Sequence, residues 1–329
     1  MTSSSRARSH AAEPSPRLQD TPLLPVAADA RVAIVIPCRN EARSIGKVVG
    51  DFRRALPGGQ IVVVDNASTD DTAERAAEAG ARVVTETRRG KGFALLRGFS
   101  IVRDADVVVM VDGDDTYPAE EVGNLVAALQ SGADVAIGVR LHSYDDGAYR
   151  PGHTLGNRIF IWLVRVLFGA RTEDLFSGYR AFTQRFLATA PLIAQGFEIE
   201  AELSLQALAG GFTVAQVPVH YRARGEGSVS KLNTWRDGYR ILLALLAFFR
   251  DYRPLTCFGG LAVVLFILSM ATGSVVVIEY LRTGYVQRLP TAILSVGLGL
   301  LSGISLIGGL LLSSVSRRAQ ELAALLSRR

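Results

Sequence analysis

The stretch VVVMVDGDDTYP, Val107 to Pro118, runs an apolar strand straight into the carboxylates of Asp112, Asp114 and Asp115. Asp112 and Asp114, two apart at a strand exit, suit a hard divalent cation, Mg2+ or Mn2+. Such an ion takes one or two carboxylates and leaves its other positions to water and a substrate diphosphate. The same residues would also make a solvated turn with a helix N-cap, since Asp115, Thr116 and Pro118 start a helix well. An isolated D-x-D does not separate the two readings.

The elements that would carry this turn are legible as an alternation. RVAIVIP, QIVVVD, ARVVTE and ADVVVMVD read as strands, separated by helical patterns through EARSIGKVVGDFRRAL, STDDTAERAAEAG and GKGFALLRGFSIV. Unbroken Val and Ile strands between helices predict an α/β fold, a mostly parallel sheet covered on both faces. Ligands of such sheets bind outside the carboxyl ends of the strands, and three of those ends carry PCRNE, DNASTD and DGDD. The first turn has no glycine before Gly46, which excludes a dinucleotide-binding fingerprint; RRGKGFA lacks the upstream glycine and following Ser or Thr of a P-loop.

The 329 residues carry a net charge of +5, and their apolar excess lies in the last quarter. Leu255 to Tyr280 has one charge, Glu279, and Pro290 to Ser316 has none. Each is long enough to cross a hydrocarbon core, which takes about 20 helical residues. The short Leu281–Leu289 link predicts a transmembrane hairpin over 255–316. Arg240, Arg250, Arg253, Arg317, Arg318, Arg328 and Arg329 flank it, against Arg282 and Arg288 in the link. Positive residues favour the cytoplasmic side, so the expectation is a multi-pass protein of the plasma (inner) membrane with its large domain, 31–234, in the cytoplasm. Residues 235–254 read as an interfacial amphipathic helix, 317–329 as a basic tail and 1–30 as a disordered tail. NRIFIWLVRVLF, Asn157 to Phe168, reads equally as an interfacial helix or as one packed on the sheet. The basic residues fit a lipid bilayer as partner and, lacking interleaved aromatics, not nucleic acid. Cys38 and Cys257 form no disulfide framework, and the histidines have no metal spacing. The small residues of GLGLLSGISLIGG permit close helix contact within the hairpin or between copies in a homo-oligomer.

PCRNE, VVDNASTD, RRGKGFAL, VDGDDTYP, DLFSGYRAF, GFEIEAEL and SVSKL follow one another in the order found in family 2 glycosyltransferases of GT-A fold. Over about Arg31 to Leu255 the chain resembles the polyprenyl-phosphate sugar synthases of that family. The resemblance implies a nucleotide-sugar donor, a polyprenyl phosphate acceptor and an inverting displacement at the anomeric carbon. It implies that Pro37, Asn40, Glu41, Asp65 and Asn66 lie around the nucleotide, that Asp112 touches the nucleotide and the metal, and that Asp114 holds the metal. Lys91 and Arg140 are candidates for the diphosphate or sugar, or are surface charges. Asp174, before LFSGYR, is the candidate base or acceptor-orienting group. Glu198 matches a family motif and would share a helix face with Glu202. Arg180, Arg222, Arg224 and Lys231, with Ser230 in the Gly/Ser-containing loop, are the cations and hydroxyl offered to an anionic acceptor. Two alternatives stay open: transfer to a glycan or glycolipid hydroxyl, and a catalytically silent membrane scaffold.

Overall fold

The structure, a computed structural model, describes residues 29–140, 164–166, 174, 176–222 and 234–326. The elements follow as β1 (Val32–Cys38), α1 (Ile45–Ala55), β2 (Gln60–Asp65), α2 (Thr72–Glu78), β3 (Arg82–Thr85), α3 (Lys91–Ile101) and β4 (Val107–Met110). A 3-10 turn (Ala119–Glu121) leads into α4 (Val122–Gln130) and β5 (Val135–Arg140). Then come β6 (Arg180–Thr183), α5 (Gln184–Thr189), α6 (Ile199–Ala209) and β7 (Val214–Val219).

The described strands form one seven-stranded sheet in the order β3-β2-β1-β4-β6-β5-β7. β1 pairs in parallel with β2 and β4, β2 with β3, and β5 with β7. The mostly parallel sheet expected from the apolar runs is therefore present, with one departure. β6 inserts antiparallel between β4 and β5, placing Arg180 opposite Met110 and Ile137.

Alternation along the strands divides the core, because successive side chains leave opposite faces. Ile34, Ile36 and Cys38 pack with α1 and α4 residues such as Phe52, Val49 and Leu125. Ala33 and Val35 pack on the other side with Leu95 and Phe99 of α3, Phe186 of α5, and Ile199 and Leu203 of α6. The strand order turns back at β1: the chain steps outward through β2 and β3 on one side of it and resumes with β4 on the other. That point is where an open α/β sheet makes its ligand crevice.

Three further helices follow: α7 (Thr234–Tyr252), α8 (Pro254–Thr283) and α9 (Leu289–Leu326). Pro254 starts α8, where its missing N–H costs nothing. Gly284, left-handed at φ 74, ends it. Both α8 and α9 are long and apolar enough to cross a membrane, over Pro254–Thr283 and Leu289–Arg318. Their outward residues, among them Val263, Phe266, Ile267, Leu300 and Ile304, are more than half exposed, which is unlike helices buried in a soluble core. The small residues are used within the hairpin: Ser269 and Ser295 each donate a hydroxyl to the other's carbonyl, at 2.8 and 2.9 Å. Ser302 and Ser305 donate to the carbonyls of Ala262 and Phe258.

Candidate active site

The site gathers at the carboxyl ends of β1, β2 and β4. Each exit loop holds one non-glycine residue in the left-handed region: Asn40 at φ 51, Ala67 at φ 53 and Asp115 at φ 61. Such residues cost about 1–3 kcal/mol each and persist where surrounding bonds over-determine them. Here those bonds are visible. The Asn40 Oδ1 accepts from the Thr69 N–H at 2.8 Å, the Asn40 N–H donates to Ser68 Oγ at 3.0 Å, and the Glu41 N–H donates to Thr72 Oγ1 at 2.8 Å. Asn40 and Glu41 thus knit the β1 loop to the β2 loop. Pro37 sits in β1 beside Val64 of β2.

Asp65 and Asn66 have different fates. Asn66 is consumed internally: its Nδ2 donates to the Glu86 and Arg88 carbonyls at 3.1 and 2.7 Å, and its Oδ1 accepts from the Gly90 N–H at 2.8 Å. It shapes the loop before α3. The Asp65 Oδ1, by contrast, is buried with no hydrogen-bond partner among the described residues. A buried acceptor left unmatched asks for an explanation.

At the β4 exit, Asp114 is buried and its Oδ1 accepts from the Thr116 hydroxyl at 2.6 Å and the Thr116 N–H at 3.3 Å. The Lys91 ammonium, at the start of α3, lies 2.5 Å from Asp112 Oδ1 and 2.5 Å from Glu200 Oε1 of α6. Burial alone would push the Lys91 ammonium down, but the two carboxylates outweigh it and hold the group above the ordinary lysine range. Burial pushes the Glu200 carboxyl up, while the same ammonium pulls it back. Gly178 closes over this cluster: a Cβ there would lie 2.2 Å from Asp112 Oδ2, and its N–H donates to the Tyr117 hydroxyl at 3.0 Å. Desolvation pushes that phenol above its ordinary range, so Tyr117 stays neutral and able to accept.

Arg140, at the end of β5, forms a fork with Asp174 at 2.6 and 2.9 Å, and its guanidinium lies 5.3 Å from the centre of the Tyr221 ring. The Asp174 Oδ1 also accepts from the Phe176 N–H at 3.0 Å. Asp174 is therefore engaged as an orienting group for Arg140. Arg180 is fully buried: its Nε donates to the Ser177 carbonyl and its Nη1 to Ser204 Oγ, both at 2.8 Å. Desolvation lowers its pKa, with Glu200 and Asp174 opposing that loss. Within this structure it braces the Ser177–Gly178 turn against α6 and has no surface to offer an acceptor.

Glu198 and Glu202 do not reach Lys91. Glu198 Oε1 accepts from the Gly196 N–H at 2.9 Å, and Glu202 accepts from the Ile193 and Ala194 N–H groups. Glu200, Tyr117 and Gly178 are the residues that sequence reasoning missed. The signal for Glu200 was the helix IEAELSLQALA, in which Glu200, Glu202, Ser204 and Gln206 alternate with apolar residues and gather on no single polar face. Arg222 lies beside the acidic turn, its N–H donating to the Thr116 carbonyl at 2.8 Å and its guanidinium 3.6 Å from Glu120. Arg224, Ser230 and Lys231 lie outside the described residues, as does most of Asn157–Phe168. Among the described residues, no three His, Cys, Asp or Glu side chains are grouped to hold a metal by themselves.

The switch point of this mostly parallel sheet, edged by paired aspartates and buried cations, is the candidate active site. Residues 33–188 match the family described as Glycosyl transferase family 2. The chain is 35% identical over 242 residues to Glycosyltransferase AglJ of Haloferax volcanii, covering 74% of this chain and 78% of that one. It is 33% identical over 224 residues to the polyprenol monophosphomannose synthase of Mycolicibacterium smegmatis, covering 62% and 81%. A solved structure of M. tuberculosis glucosyl-3-phosphoglycerate synthase, in complex with Mn2+, UDP-glucose and phosphoglyceric acid, superposes with a TM-score of 0.56 at 25% identity, covering 68% and 80%. The chain belongs to glycosyl transferase family 2 and is a glycosyltransferase of GT-A-like fold.

Proposed function

We propose that the protein moves a sugar, with inversion, from a nucleoside diphosphate donor to a polyprenyl phosphate at a bilayer surface. The observation that carries this reading is the attachment of the apolar α8–α9 hairpin to the same domain that holds the Asp112–Asp114 turn. The polyprenol and UDP-glucose named for the two relatives above support it. On this reading residues 31–234 are the catalytic domain, 235–254 lie along the interface, 255–316 span the membrane, and the basic flanks keep the domain on the cytoplasmic side of the plasma (inner) membrane.

The unmatched Asp65 Oδ1 is a waiting acceptor for a donor N–H or O–H of the nucleotide, with Pro37, Asn40 and Glu41 forming the wall beside it. Asn66 supports that wall from behind. Asp112 and Asp114 fit Mg2+ or Mn2+: they supply two carboxylates and leave the remaining positions to water and the diphosphate. The absent side chain of Gly178 keeps the approach to Asp112 open. Bound there, the ion would stabilise the departing diphosphate as a Lewis acid.

The chain's own residues do the rest. Lys91 carries a fixed positive charge beside Asp112, and Arg140 carries another, its direction set by Asp174 and Tyr221. Preorganised charge of this kind stabilises a transition state without reorganising. A lipid phosphate oxygen is already anionic at neutral pH, so the acceptor needs placement more than deprotonation. A hydroxyl acceptor would need a general base. Asp174 and Glu200 are each committed to a cation, Arg140 and Lys91, which favours the phosphate.

The test is a panel of nucleotide sugars offered to detergent-purified protein with Mg2+ or Mn2+ and polyprenyl phosphate, read by mass spectrometry. A lipid-phosphate-linked sugar with one donor is expected, and its loss in Asp114→Asn while the protein stays folded. No such product with any donor would overturn the reading.

A further inference from the structure

We propose that the Pro191–Gly196 loop is a further membrane contact, seating Ile193 in the bilayer interface and setting the mouth of the active site against the lipid surface. This rests on the membrane-anchored reading above and adds a surface that neither the hairpin nor α7 accounts for.

The argument starts from two short chains of hydrogen bonds. Tyr252, two residues before the start of α8, donates its hydroxyl to Gln206 Oε1 of α6 at 2.6 Å. Gln206 Nε2 in turn donates to the Pro191 carbonyl at 2.9 Å. One end of the loop is therefore fixed within two side chains of the point where the first apolar helix begins. At the other end, the Gln195 carbonyl accepts from the Gly92 N–H at 3.0 Å, next to Lys91. Five residues thus run from the root of the hairpin to the active-site lysine.

Between those fixed ends Ile193 is 78% exposed, a large aliphatic side chain with no cover from the described protein. Its backbone is not loose, since Glu202 of α6 accepts both the Ile193 and Ala194 N–H groups. A lone exposed isoleucine is ordinary on a protein surface; this one is set apart by its fixed backbone and its place between the root of α8 and Lys91. The surroundings match an interface. Arg88 and Arg89, both exposed, lie in the loop that Gly90 joins to Gln195, where a Cβ on Gly90 would meet the Gln195 carbonyl at 2.1 Å. On α7, Tyr239, Leu243 and Leu246 are 63%, 46% and 47% exposed at helical spacing, one apolar stripe that continues to Arg250 on the helix face away from the inward-turned Tyr252. Apolar side chains flanked by arginines, next to a membrane entry, have the chemistry of the headgroup and acyl boundary.

The experiment uses the full chain in vesicles of phosphatidylcholine and phosphatidylglycerol. Cys38 is buried, so a Cys257→Ser background leaves single labelling sites for an environment-sensitive fluorophore. Probes are placed at Ile193→Cys, at Ile267→Cys on the exposed face of α8, and at Glu78→Cys on α2, which packs on the opposite face of the sheet. With spin-labelled lipid the Ile193 probe, about 5–10 Å into the boundary, and the Ile267 probe, within the span, should each lose emission about twofold, and the Glu78 probe should not. Quenching at Ile267 without quenching at Ile193 would overturn this inference and leave the anchor standing. No quenching at Ile267 would remove the anchor and this inference together, and quenching at Glu78 as strong as at Ile193 would show non-specific adsorption and overturn it too.

Discussion

Replacing Lys91 with Met isolates the electrostatics of the site. The ammonium is shared by Glu200, 7% exposed at its side chain, and Asp112, 24% exposed. Breaking a buried ion pair from one side costs roughly 3–5 kcal/mol, because the remaining charge is stranded. Asp112 is reached by solvent and recovers part of that loss, so the lower end, about 3 kcal/mol, is expected. For a domain of this size 1 kcal/mol moves the melting temperature by about 2–4 °C, which predicts a fall of about 6–12 °C for Lys91→Met. Adding Glu200→Leu removes the stranded carboxylate, so the double variant should regain more than half of the loss. The assay is intrinsic fluorescence during heating of the detergent-purified chain at neutral pH, for the parent, both single variants and the double. A Lys91→Met protein melting within about 2 °C of the parent, or a double variant no more stable than Lys91→Met, would refute the reasoning.

Gly178→Ala should fold but lose donor binding, because its Cβ would displace the Asp112 carboxylate; calorimetry with nucleotide sugar and Mn2+ showing parental affinity would contradict this. Asp174→Asn removes one charge-assisted fork from Arg140 and should lower kcat about tenfold to a hundredfold with donor affinity nearly intact; an unchanged kcat would show that Arg140 needs no such support. The Arg88 guanidinium holds the Glu86 carboxyl down at about 2. A depressed carboxyl stabilises the fold above its ordinary value of 4.5 and loses that contribution as pH falls toward about 2. The melting difference between the parent and Glu86→Gln should accordingly be constant above that window and shrink through it.

How far the sequence could be read depended on the kind of information each residue carries. β1, β2 and β4 are runs of Val and Ile bounded by polar exits, and a run of that type is buried on both faces wherever it falls. The acidic turn and the two apolar helices were legible for the same local reason. β6 was not. RAFT has no pattern that distinguishes a strand running against its neighbours, and its place between β4 and β5 is settled by partners distant in the chain. Arg180 and Glu200 show the same limit at the level of side chains. Both look like surface residues by type, and both are buried because each finds a partner, Ser204 or Lys91, that only the folded chain supplies. Glu198 had the motif, whereas Glu200, two residues on, had the position.

The reciprocal hydroxyl-to-carbonyl bonds between Ser269 and Ser295, with those of Ser302 and Ser305, act as a vernier between α8 and α9. A slip of one residue along either helix would break these cross-helix bonds together and return the hydroxyls to carbonyls of their own helix, as Thr272 and Ser274 already do. The two rods can therefore tilt together but not slide past each other. A shift of the hairpin as a unit would reach Tyr252, whose hydroxyl bonds Gln206 on the helix that carries Glu200.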